Sequence, residues 1–222
     1  MIRELFRVLS SHSALDDVLR DFAEMLDTAK AMLEEASSIP FEGADPDEFR
    51  QKFYDKDKHI NKLEQKIRRR IVTHLAVTKG GDLPISLVMI SLVKDAERIG
   101  DYAKNLFQVF EKAGKLEEGP YYSLVVEARD YVSTAIDAAK SAFMQGDRDA
   151  ARKLIRENFK LEKRFDQAVW ELMDIKVVCE QRCRQPVAYA LLFRFYKRIL
   201  RHLSNILTAV VMPIDKLDYF DE

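Results

Sequence analysis

The sequence has little of what turns, disulfide frameworks and membrane spans require. Its 222 residues include only 7 glycines and 6 prolines, which favours a few long elements over many short strands. The 2 cysteines, Cys179 and Cys183, are too few for a disulfide framework. The longest nearly apolar run, Ile85 to Val93, is about half of what spans a bilayer, and the first residues lack a signal peptide's apolar stretch. We therefore expect a cytosolic protein.

Neither sign of charge is in excess. The chain has 36 basic and 37 acidic residues, for a net charge of −1. Such a balance provides no broad basic field, so we expect no nucleic-acid partner. Hydrophobic residues make up 47% of the chain, which is enough for a core.

Helical periodicity is what the sequence does contain. Apolar residues recur every three or four positions in six successive segments, which predicts an all-α fold of six helices. Short loops make neighbouring helices antiparallel, so we predict two tandem three-helix bundles, residues 1–116 and 117–222, the second with a short acidic tail. The first helix is expected to end in the segment 37–43 and the fifth to run to about Arg184. The scarce glycines and prolines mark the helix boundaries: Pro40, Gly43, Gly80, Gly81, Pro84, Gly114, Pro120, Gly146, Pro186 and Pro213.

The two halves match each other weakly. The segments 97–106 and 197–206 align without a gap and share an Arg-Ile pair and an Asn-aliphatic pair. The second and fifth helices match more loosely, with Asp57 and Asn61 beside Glu162 and Asp166. Because both matches occur in the same order, repetition of one helical unit is indicated.

Two segments resemble the PhoU family of phosphate-transport regulators: Asp57 to Glu64 (DKHINKLE) and Asp95 to Asn105 (DAERIGDYAKN). The second half is similar to that family's second repeat. The resemblance implies a cytosolic regulator that damps phosphate uptake and phosphate-starvation signalling. It also implies contacts with a transporter ATPase and a sensor histidine kinase, membrane association only through such partners, and a homodimer.

Five oxygen-bearing residues form the candidate site. Glu97 and Asp101 are four residues apart and share a helix face, as do Asp57 and Asn61 on the second helix, with Glu64 nearby. If the two helices are antiparallel neighbours, these side chains line one seam. Oxygen donors of this kind suit magnesium, manganese or iron. The resemblance implies the same, because the family's paired acidic motifs bind metal ions.

Spacing alone instead favours ordinary helix charges that nearby lysines neutralise: Lys58, Lys62, Lys94 and Lys104. In the second half the positions of Glu97 and Asp101 hold Lys197 and Arg201. We therefore predict that Glu162 or Asp166 forms an ion pair with one of these cations and that this half binds no metal.

No catalytic motif is readable. The sequence has no phosphate loop and no nucleophile–base pair, and no histidine follows a glutamate by three residues as di-iron bundles require. We therefore expect no enzyme. Two alternatives stay open: a metal-dependent enzyme or metal-storage protein, and an accessory regulator of a low-affinity phosphate carrier. Cys179 and Cys183 are expected to be free thiols on one helix face.

Overall fold

The computed structural model describes residues 13–78, 82–174 and 184–220. These residues contain no strand and form six α-helices, which confirms the predicted fold class of two tandem three-helix bundles. The helices are α1 (Ser13–Glu42), α2 (Pro46–Val77), α3 (Leu83–Ala113), α4 (Tyr122–Gln145), α5 (Arg148–Met173) and α6 (Arg184–Val211), followed by a 3₁₀ turn at Ile214–Lys216. Among the described residues, no helix is both long enough and apolar enough to cross a bilayer.

Side-chain caps set two of the helix starts. The Asp45 carboxylate accepts a 2.9 Å hydrogen bond from the Asp47 amide at the start of α2. Asp147 caps α5 in the same way, accepting from the amides of Asp149 and Ala150 at 3.1 and 3.0 Å. Each cap satisfies amides that have no carbonyl partner inside the helix.

The first helix end agrees with the sequence prediction, and that of α5 differs from it. α1 ends at Glu42, inside the segment 37–43 as predicted, but it stays helical through Pro40. The Ser37 and Ser38 hydroxyls bond back to helix carbonyls, and the ring of Phe41 packs edge-on against Phe110, so this last turn is held despite the proline.

The described part of α5 ends at Met173, not near Arg184, because the Asp174 amide bonds to the Glu171 carbonyl and tightens the last turn. Cys179 and Cys183 lie outside the described residues, and so does the prediction about their thiols.

The two bundles share one apolar core. α3 packs against α6 at the centre of the molecule, and α1 packs against α4. Stacked rings lie inside each bundle, Phe53 on Phe107 in the first and Phe165 on Phe193 in the second. Phe22 of α1 meets Phe143 of α4 with ring centroids 5.2 Å apart, so the core continues across the boundary between the repeats.

A buried carboxylate fixes α3 against α6. Asp95 of α3 is only 6% exposed. Its Oδ1 oxygen is 2.7 Å from Nδ1 of His202 and accepts a 3.0 Å hydrogen bond from the side-chain Nδ2 of Asn205. His202 and Asn205 both lie on α6. We call these three residues the Asp95 clasp. Because a buried acceptor needs its donors, the clasp sets how far the two helices slide along each other.

Candidate functional site

The candidate site lies along the seam where α2 and α3 run antiparallel. The helices approach closely at Gly100 of α3, where a Cβ atom would sit 2.7 Å from Cδ1 of the buried Ile60 of α2. This contact holds the two helices close together, so side chains flanking it reach across from one helix to the other.

Asp57 and Asp101 converge on one lysine. The Lys104 ammonium is 2.8 Å from Asp57 Oδ1 and 3.1 Å from Asp101 Oδ1. Burial lowers the Lys104 pKa, but the hydrogen bonds to the two carboxylates and their charges more than compensate, and the pKa is raised. A protonated lysine therefore occupies the point at which the two carboxylates meet.

Glu64 and Glu97 meet in a second pair along the same seam. Lys94 Nζ lies 2.8 Å from Glu97 and 3.8 Å from Glu64, and Arg68 lies 2.8 Å from Glu64. Both glutamates are buried. Asn61, the remaining predicted ligand, is half-buried between Asp57 and Glu64 along α2.

The five predicted ligands thus share one seam, but the four carboxylates among them form two lysine-centred pairs instead of one cluster, and Asn61 belongs to neither pair. In the described part of the chain, no group of three or more His, Cys, Asp or Glu side chains is placed to hold a metal ion. In each pair both carboxylates lie no more than 3.8 Å from one lysine ammonium, so each position offers two acidic oxygen ligands around a positive charge. A metal would take the place of a lysine ammonium, and its presence stays a prediction.

The second repeat has ion pairs at the matching positions, as predicted. Arg201 of α6 lies 2.6 Å from Glu162 of α5, and Lys197 lies 2.5 Å from Asp166. Glu162 is only 2% exposed, and its other oxygen accepts no hydrogen bond from any described residue. Burial raises the Glu162 pKa, while the charges of Arg201 and Lys197 act in the opposite direction.

Sequence reasoning found the lysines of the seam but missed its arginines and the Asp95 clasp. Arg98 lies 3.3 Å from Asp101, so arginines contribute to both carboxylate pairs. A usable signal for the clasp was present: Asp95 interrupts an otherwise apolar helix face between Leu92 and Ile99. A charge at such a position is buried and needs a partner.

Comparison with known proteins identifies the architecture. A family model described as the PhoU domain matches the chain twice, over residues 22–109 and 125–210. The phosphate-specific transport system accessory protein PhoU homolog of Aquifex aeolicus is 26% identical over 147 residues, which cover 64% of this chain. The aligned region spans 65% of that relative, just under two thirds of its length.

Two crystal structures have the same fold. PhoU from Pseudomonas aeruginosa superposes with a TM-score of 0.79 at 23% identity, covering 89% of this chain and 95% of that one. The phosphate transport system regulatory protein PhoU from Streptococcus pneumoniae gives a TM-score of 0.71 at 17% identity, covering 93% and 99% of the two chains.

Proposed function

Because the chain belongs to the PhoU family, we propose that it is a cytosolic, non-enzymatic regulator of phosphate transport and phosphate-starvation signalling. It acts by binding the ATPase of a phosphate transporter, a sensor histidine kinase, or both. The observation that carries the proposal is the double match to the family model, which covers both repeats and leaves only short segments outside it. The expected homodimer stays a prediction.

The α2–α3 seam is the part of the molecule best suited to a regulated contact. Its four carboxylates are each paired with a lysine or arginine, and the charged ends of Lys94 and Arg98 remain about half exposed. A partner that offers its own charges can contact Lys94 and Arg98, because solvent already reaches and screens these half-exposed side chains. Complementary charge of this kind favours specificity and fast association.

We propose a magnesium, manganese or iron site in the first repeat only. Asp57, Asn61 and Asp101 would hold a cation in the place of the Lys104 ammonium, and Glu64 and Glu97 form the second pair. A bound metal would supply fixed positive charge that ties α2 to α3 or to a partner's carboxylate. In the second repeat, Arg201 and Lys197 already neutralise the equivalent acids.

The function is tested in a strain that lacks the gene. Phosphate uptake in phosphate-rich medium is expected to become constitutive, and the wild-type gene restores its repression. The transporter ATPase from the same organism is expected to co-purify with the tagged full chain. Unchanged uptake and unchanged starvation signalling after deletion would overturn the proposal, and dependence on a low-affinity carrier would move it to the accessory-regulator alternative.

Purified protein tests the metal site. Elemental analysis of the purified chain is expected to detect a bound metal that Glu97→Ala/Asp101→Ala removes. Asp166→Ala in the second repeat is the matched control and is expected to leave the metal content unchanged. Equal metal content in all three proteins would contradict the first-repeat site. A catalytic turnover lost with Glu97→Ala/Asp101→Ala would indicate the enzyme alternative instead.

A further inference from the structure

The outward face of α5 exposes large apolar side chains that the proposed function does not use. Trp170 is the only tryptophan of the chain and is 63% exposed. Met173, one turn further along, is 70% exposed, and Phe159 is 37% exposed. Burying these side chains against a partner or an interface would remove apolar surface from water.

Three unpaired cations lie on the same face. Arg156, Lys160 and Lys163 recur at spacings of four and three residues, so they form one stripe along the helix. All three are exposed and form no ion pair within the described ranges. The Lys163 ammonium lies 4.8 Å from the centroid of the Phe159 ring and forms a cation–π contact with it.

From Asp149 to Asp166, the other charges on this helix are already paired. Arg152, Lys153 and Arg164 have the acidic partners Asp149, Glu157 and Glu127. Asp166 is held by Lys197. Glu171 accepts a hydrogen bond from the uncharged Gln167 side chain, so it keeps its negative charge next to Trp170. Asp174 follows Trp170 beyond the end of the helix. The free charge on the first two thirds of the stripe is therefore positive.

We propose that Arg156, Phe159, Lys160, Lys163, Trp170 and Met173, the α5 face, bind directly to a bilayer surface that carries anionic phospholipid headgroups. The cations would contact lipid phosphates while Trp170 and Met173 enter the interfacial layer, where tryptophan is favoured. The stripe from residue 156 to residue 173 is about 25 Å long at 1.5 Å per residue, enough to lie flat along a membrane. This inference does not depend on the proposed regulatory role, and it revises the expectation that membrane contact comes only through partners.

A lipid surface fits the α5 face better than an acidic protein does. Lysine is depleted from protein interfaces, yet two of the three free cations are lysines. The cavity beside Arg156 and Phe159 measures about 40 Å³, which is room for only a few water molecules and not for an anchoring side chain. The apolar groups also project singly from one convex helix, a shape suited to a fluid interface.

The experiment uses the purified full chain and two kinds of vesicle, pure phosphatidylcholine and phosphatidylcholine with about 30% phosphatidylglycerol. Co-sedimentation is expected with the anionic vesicles only, at least about tenfold tighter, and to weaken as salt is raised. Because Trp170 is the only tryptophan, its emission reports the contact directly and is expected to shift to shorter wavelength on binding.

Lys160→Glu/Lys163→Glu is expected to reduce binding by at least about tenfold, and Lys160→Gln/Lys163→Gln by less. The matched control, Lys52→Glu/Arg69→Glu, makes the same charge change at exposed positions of α2 and is expected to bind like the wild type. Circular dichroism verifies that each variant is folded, and the glutamine variant serves if the glutamate variant is not.

Several results would overturn the proposal. These are equal binding to both vesicles, sedimentation without a shift in Trp170 emission, and an equal loss in the α5 variant and the α2 control. Binding to soluble polyglutamate but not to anionic vesicles would assign the face to an acidic protein partner and would also reject the lipid contact.

Discussion

Glu162 illustrates, at the scale of single residues, how a repeat changes its chemistry. It sits where the first repeat has Asp57, but its cation is Arg201, at the position of Asp101. In the first repeat the cation beside Asp57 is Lys104 of α3, which does not align with Arg201. Aligned positions predicted the Arg201 pair because the charge change is visible in the sequence. They did not predict which oxygen would stay without a partner, since that depends on packing.

Arg201→Ala is expected to destabilise the protein by about 2 kcal/mol near neutral pH. The variant leaves a buried carboxylate without its cation, which costs roughly 3–5 kcal/mol in a fully buried pair. Because the Arg201 side chain is 42% exposed, solvent already screens part of this interaction and the expected loss is smaller. Urea unfolding measures it, with Arg156→Ala on the exposed face as the control.

The loss should depend on pH. The folded-state pKa of Glu162 is raised, so folding favours its protonated form, and this contribution to stability is present at low pH and lost as pH rises through the folded pKa. Removal of Arg201 raises that pKa further. The Arg201→Ala penalty is therefore expected to be smaller at acidic than at neutral pH, and to vanish in a Glu162→Gln background. A penalty independent of pH in both backgrounds would contradict this account.

The helices themselves were predictable because each has a local cause. Caps such as Asp45 and Asp147 and the apolar period define most of their boundaries. The sequence did not predict that α1 stays helical through Pro40, because proline is a strong local stop signal and the contact that holds the last turn comes from Phe110, distant in sequence. Tertiary contacts override local preference at such points.

The α2–α3 approach makes a prediction at the scale of helix packing. Gly100→Ala gains helix propensity of up to about 1 kcal/mol, but its Cβ meets Ile60 Cδ1 at 2.7 Å in a closed core. We expect a net loss of about 1 kcal/mol. Ile60→Val removes the Cδ1 atom and itself costs about 1 kcal/mol.

In the double variant the clash is gone, so Gly100→Ala is expected to become neutral or stabilising. Thermal unfolding of the four proteins measures this coupling. If the stability losses of the two single variants simply add in the double variant, the Ile60 side chain is not what a Cβ atom at position 100 collides with.

At the scale of the whole molecule, the Asp95 clasp joins the two repeats. Its residues are separated by 107 and 110 positions, so no local pattern pairs them. The general fold followed from periodicity and repetition, and the seam residues followed from spacing. The lysine-centred arrangement of the seam and the contact between α3 and α6 did not, because both depend on how helices are rotated and shifted against one another.

Asp95→Ala is expected to destabilise the protein by about 2 kcal/mol, because His202 and Asn205 lose the acceptor they share in a mostly buried place. Asp166→Ala, which removes a half-exposed acid, is the matched control and should cost less than about 1 kcal/mol. Hydrogen exchange is expected to increase on both α3 and α6. An increase confined to α3 would mean that the clasp does not couple the repeats.

Joining two repeats in one chain has a consequence for how such a protein can diverge. A symmetric pair of separate subunits must carry every substitution twice, whereas covalently linked halves are free to differ. Here one half has carboxylates around lysines, and the other has Lys197 and Arg201 where the first half has two acids. Two linked copies of one helical unit can thus present different charged surfaces within a single molecule.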